Sequence, residues 1–142
     1  MKRSTNFLAT AAAALLVTAG VASAQEPMKA EVPFAFHVGS KVMEPGTIRV
    51  RMLSGTNGSH AMIVNNYAAR RAYIVLPKQV GDAPKSWLAS GEAKVAFDCS
   101  TGTCVLAKIW TGQGNAYDFY GPKIKGGETM LTEIVMKADK GD

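Results

Sequence analysis

The residues of this 142-residue chain whose types could carry chemistry are two cysteines, two histidines and a scatter of acids and arginines. Cys99 and Cys104 enclose Ser-Thr-Gly-Thr, and that spacing can be weighed against three chemistries. A redox dithiol uses C-x-x-C at a helix start, where the nucleophilic thiolate is stabilised. Here the spacing is C-x4-C and the flanks "AKVAFDC" and "CVLAKIW" have strand composition. Zinc needs two further ligands, and His37 and His60 lie far away with no paired spacing. The third chemistry is a disulfide across a turn. If Ser100 to Thr103 form a four-residue loop, Cys99 faces Cys104, and residues whose numbers sum to 203 pair across the hairpin. Opposed residues in an antiparallel ladder have α-carbons about 4.5 to 5.5 Å apart, inside the disulfide range of about 4.4 to 6.8 Å. This register puts both cysteines on the face of Val95, Phe97, Leu106 and Trp110, with Lys108 as the misfit. A structural disulfide is expected, with free thiols and a metal or redox pair as the competing readings.

The other candidates are weaker. A hydrolase triad needs a histidine beside a nucleophile, but His37 falls on the polar face of one strand and His60 directly follows a turn. No G-x-S-x-G elbow, H-E-x-x-H helix or phosphate loop occurs. "GTNGSH" and "GQGN" precede strands rather than helices, which suits turns. Methionines are scattered without M-x-x-M clustering, so neither a copper site nor any other cofactor is expected. Arg49 and Arg51 share the outward face of one strand and Arg70 and Arg71 lead into another, either an anion-binding patch or a solvated face that discourages edge pairing. Trp87, Tyr117 and Tyr120 are candidates for a docking or sugar-stacking platform, against core packing as the plainer explanation.

The elements that would position these residues read as strands. "AEVPFAFHV" alternates Val32, Phe34, Phe36 and Val38 with smaller or polar residues, and Pro33 suits an edge strand or a strand start. "GTIRVRML" alternates more cleanly, and Asn57-Gly58 after it is a hairpin signal that folds "HAMIV" back antiparallel. "RAYIVLP" is dense in β-formers and stops at Pro77. Residues 78 to 92 have no period and read as a loop carrying an exposed or half-docked Trp87. "YDFYGP" gives a short strand, and residues 128 to 138 fit a strand, with a helix competing. About seven short strands predict an all-β fold, an antiparallel sandwich or small barrel.

At the N-terminus Lys2 and Arg3 precede the apolar run "FLATAAAALLVTAGVA" and the small-residue site Ala22-Ser23-Ala24. This pattern predicts a signal peptide over 1–24, cleaved after Ala24, and a single β domain over 25–142. Cleavage would leave 14 Lys and Arg against 11 Asp and Glu, lowering the formal net charge from +5 to +3. That charge is spread out, unlike the clustered basic face of a nucleic-acid binder.

"VPFAFHVGSKVMEPGTIRV" (32–50) resembles the opening of an uncharacterised group of small secreted bacterial β-proteins, with V-P-F-x-F, a V-G-x-K turn and P-x-G-x-Y-x-V. Phe97 and Trp110, thirteen positions apart, match the same group's hairpin. Ile48 stands where that pattern has an aromatic, and the cysteine pair is not among its features. The resemblance implies export and a β fold, without an activity.

The function expected from the sequence is binding or structural, by a secreted or periplasmic domain with no membrane span after cleavage. Its partner would be an envelope protein or an extracellular polymer. A small extracellular hydrolase is the alternative, and addition of a strand to a partner's sheet is a third class.

Overall fold

The computed structural model describes residues 26–54, 60–124 and 128–140. The leader pattern and the Asn57-Gly58 turn lie outside the described residues.

The fold is a mostly antiparallel β-sandwich. Its strands are β1 (Met28–Val32), β2 (Phe36–Val38), β3 (Lys41–Met43), β4 (Gly46–Ser54), β5 (His60–Asn66), β6 (Arg71–Val75) and β7 (Pro77–Gly81). After a short helix, α1 (Lys85–Ser90), come β8 (Lys94–Ser100), β9 (Thr103–Trp110), β10 (Ala116–Phe119), β11 (Met130–Val135) and β12 (Lys137–Ala138). The first sheet runs β12-β1-β4-β5-β6 and the second β11-β8-β9-β10-β7. The β2–β3 hairpin joins the second sheet through a parallel contact of His37 with Val105 on β9.

More strands appear than expected because the chain changes sheet inside the predicted ones. "AEVPFAFHV" is broken at Pro33 into β1 in the first sheet and β2 in the second. The alternation survives this crossing: Val32, Phe36 and Val38 are all buried, because the inner faces of both sheets look into one core. Pro33, which lacks the N–H a ladder needs, therefore marks a sheet change rather than an edge. β1 is flanked by β12 at Met28 and Lys29 and by β4 along its length. The same device operates at Leu76-Pro77, between β6 in the first sheet and β7 in the second.

Between the sheets lie Val32, Phe36, Ile48, Val64, Phe97 and Ile109, all essentially inaccessible. Phe97 meets Phe34 and Phe36 edge-on, with ring centroids 5.2 and 4.8 Å apart, the geometry aromatic quadrupoles favour. A second, smaller cluster covers the other face of the second sheet: Ala83, Trp87, Ala96, Trp110 and Ala116. Residues 78 to 92 are thus not one loop. They form β7 and then α1, whose Trp87 is fully buried (0 % exposed) rather than exposed or half-docked. The indole shares its cluster with two alanines on the strands that flank β9, Ala96 on β8 and Ala116 on β10, small enough to admit it. Its Nε1–H donates to Glu133 Oε1 on β11 at 2.8 Å. Residues 128 to 138 hold β11 and β12, so the strand reading was correct there.

Candidate functional site

The cysteine hairpin is built as a staple. Cys99 faces Cys104, with α-carbons 4.0 Å apart and the sulfurs at disulfide distance, 2.13 Å. The ladder runs one pair further than expected, to Ser100 and Thr103, leaving Thr101 and Gly102 as a two-residue loop. Both have positive φ, 46° and 80°, the conformation of the hairpin turn whose twist matches its strands. Glycine adopts it at no steric cost, and a β-branched threonine does not. Below Phe97 and Leu106 the register shifts by one, so that Ala107 has no partner and Lys108 faces Ala96. This bulge removes the misfit in the expected pattern. Lys108 moves to the outer side, where Nζ pairs with Asp118 at 3.1 Å, while Ile109 turns into the core. Trp110 consequently lies on the opposite face from Val95, in the cluster under α1.

The four arginines are carried by β4, by the β5–β6 turn and by the start of β6. Arg49 and Arg51 lie on the outer face of β4, with Arg49 Nε 2.6 Å from Asp139 Oδ2 and its guanidinium 4.6 Å from the Tyr67 ring centroid. Arg70 is in the Tyr67–Arg70 turn at positive φ, and Arg71 opens β6. The platform aromatics separate as well. Trp87 and Tyr117 are buried, in different clusters. Burial raises the Tyr117 hydroxyl above the usual phenol range, and it donates to Met52 Sδ at 3.7 Å. Of the three, only Tyr120 is exposed, at 67 %. His60 packs beside Tyr117, with ring centroids 5.8 Å apart, and His37 holds a buried Nδ1 without a partner. Among the described residues no three His, Cys, Asp or Glu side chains gather as a metal-binding group. Nor is any helix there long and apolar enough to cross a membrane.

Tyr120 stands at a feature the sequence reading missed. A groove of about 640 Å³ runs along β6 from Ala72 to Leu76, walled opposite by residues 38 to 41 of the β2–β3 turn. Ile74 and Leu76 are 67 % and 63 % exposed there, and Val42 beside it is 51 % exposed. The groove is braced by Tyr73, whose hydroxyl donates to the Val42 carbonyl at 3.1 Å. Lys41 lies over the Tyr73 ring and Lys78 over the Tyr120 ring, at 5.7 and 5.8 Å from the centroids. The signal for this site was present in "YIVL": a strand apolar at successive positions, unlike the clean alternation of β4, is apolar on both faces and must leave one exposed if its sheet is covered on one side.

Asn66 is also buried and unforeseen. Its Nδ2 donates to the carbonyls of Glu44 and Pro45, and its Oδ1 accepts from Ala69 N–H. It thereby ties the β3–β4 and β5–β6 turns together. Gly46 beside it has φ 142°, a conformation that favours glycine, and a Cβ there would press on Nδ2 at 3.2 Å. The likeness of residues 32 to 50 to secreted bacterial β-proteins rests on its motifs alone: no family model, curated protein or solved structure matches the chain.

Proposed function

We propose that the chain is an exported β-sandwich that binds a partner at the envelope or outside the cell through the groove beside β6. The observation that carries this is the grouping of Ile74, Leu76 and Tyr120, each more than 60 % exposed, around one groove. Leaving large apolar groups in water forgoes about 25 cal/mol for each Å² that could be buried, and contiguous exposed apolar surface marks interaction sites. Export is supported by the leader pattern and by a disulfide-distance cysteine pair, which suits an oxidising compartment.

The test is site-specific photo-crosslinking in cells expressing the full chain, with the photoreactive residue at 120 or, as control, at Leu88, which is 52 % exposed on α1. Position 120 is expected to give a discrete crosslinked species in the envelope or medium fraction that position 88 does not. Equal yields from both positions, or a product confined to the cytoplasm, would refute the proposal.

A further inference from the structure

We infer that the groove accepts an extended peptide strand with acidic ends, added to β6 as a sixth strand of the first sheet. This rests on the groove being the binding site and goes further by stating how it is filled. The first argument is backbone chemistry. β6 pairs with β5 from Arg71 to Val75, and among the described residues no strand pairs with its other side. Alternate residues of an edge strand turn unpaired N–H and C=O groups outward. At β6 they face a walled trench.

The second argument is shape. Five residues of β6 give a ladder about 17 Å long, and the groove follows it from Ala72 to Leu76. A strand placed there would set alternate side chains against Ile74 on one face and against Tyr73 on the other. The second sheet also has an edge strand, β11, with Met130 and Leu131 exposed. Its Glu133 is engaged with the Trp87 indole and lies 3.8 Å from Lys94 Nζ, so the outward charge of that strand is already committed.

The third argument is charge. Among the described residues Lys41 is the one charged side chain lining the groove, Arg70 and Arg71 stand at one end and Lys78 at the other. All four are exposed. Cationic ends and an apolar middle complement a strand with acidic ends, and they oppose pairing between two copies of β6, each of which brings the same positive charges.

The experiment titrates the isotope-labelled chain with a synthetic peptide, acetyl-Asp-Ile-Thr-Val-Thr-Ile-Asp-amide, and follows backbone amide shifts. Shifts centred on 71 to 75 are expected. Replacing both peptide aspartates by lysine should weaken binding about tenfold or more, as should Lys41→Glu in the protein, a change at an exposed side chain. Two further peptides, N-methylated at one or the other set of alternate residues, block one edge of the strand each. One should lose binding and the other keep it, the signature of hydrogen bonding along a single edge.

Equal binding by both methylated forms, indifference to the sign of the peptide ends, or shifts at 130 to 135 instead would overturn the inference. So would sedimentation showing a dimer with protected β6 amides, since a second copy would then be the occupant. If the peptides fail while position 120 still crosslinks a discrete partner, the groove remains the binding site and strand addition is wrong. If both fail, the binding site itself is wrong.

Discussion

Truncating Trp87 to alanine tests the claim that α1 is held to the second sheet by one side chain. An isolated helix of six residues is far below the length at which helices persist in water, and α1 has no side-chain N-cap. Trp87 is its only buried residue. Removing a buried tryptophan from water protects about 150 to 250 Å², worth about 4 to 6 kcal/mol at about 25 cal/mol for each Å². Large-to-small replacements of aromatic residues cost about 3 to 5 kcal/mol, so Trp87→Ala is expected to cost about 4 kcal/mol. Trp87→Phe keeps most of the packing and loses the bond to Glu133, whose carboxylate is partly exposed and lies 3.8 Å from Lys94 Nζ. With no charge stranded in the interior, that replacement should cost about 1 to 2 kcal/mol. Urea unfolding followed by far-UV dichroism gives both free energies and the slope m, which scales with the surface exposed on unfolding. A loss near 4 kcal/mol with m unchanged means that α1 unfolds with the sandwich. A smaller loss accompanied by a lower m means that α1 detaches first, as a separate local unit. A cost below about 1 kcal/mol with m unchanged would refute the reasoning, because the indole would then not anchor the helix at all.

Three other outcomes follow from the hairpin and the turns. Thiol titration of the unfolded, non-reduced chain should find almost no free SH, and reduction should lower stability by about 2 kcal/mol, the chain-entropy value for a six-residue loop, without abolishing the fold. Thr101→Gly should raise the thermal midpoint, because the native φ of 46° costs a β-branched residue about 1 to 2 kcal/mol that glycine avoids; a lowered midpoint would mean that the methyl or hydroxyl makes a compensating contact. Asn66→Ala should cost about 2 to 3 kcal/mol in the same urea experiment, since it leaves the Ala69 N–H and the carbonyls of residues 44 and 45 without their side-chain partner; a loss under about 0.5 kcal/mol would show that the two turns hold themselves.

Strand positions were legible in the sequence where one face is buried and the other wet. Ile48, Val50 and Met62 announce β4 and β5 by a period of two, and the core between the sheets is largely these alternating residues. Sheet membership was not legible. Nothing in the alternation across Val32, Phe34 and Phe36 distinguishes one strand from two strands of facing sheets, because both put the same residues inward. The docking of Trp87 was not legible because three of its four cluster partners are alanines, Ala83, Ala96 and Ala116, which leave no hydrophobic mark of their own, and the fourth, Trp110, reads in the sequence as part of an ordinary strand. The groove was overlooked for a related reason, since its floor comes from β6 and its wall from the β2–β3 turn, far apart in the chain. The cysteine pairing was legible because both partners and their turn lie within one short stretch.

The unpaired Ala107 has a consequence for the far edge of β9. That edge serves two neighbours in succession: β2, parallel, at Val105, and β10, antiparallel, at Lys108 and Ile109. Removing Ala107 would leave every inward and outward residue of the β8–β9 hairpin where it is. What it would remove is the bend and the added twist that a bulge gives its strand, which fall between the β2 berth and the β10 berth. The extra residue thus acts as a corner between two docking points on a single strand. Its loss would be felt less in the hairpin that contains it than in the join between the two halves of the second sheet.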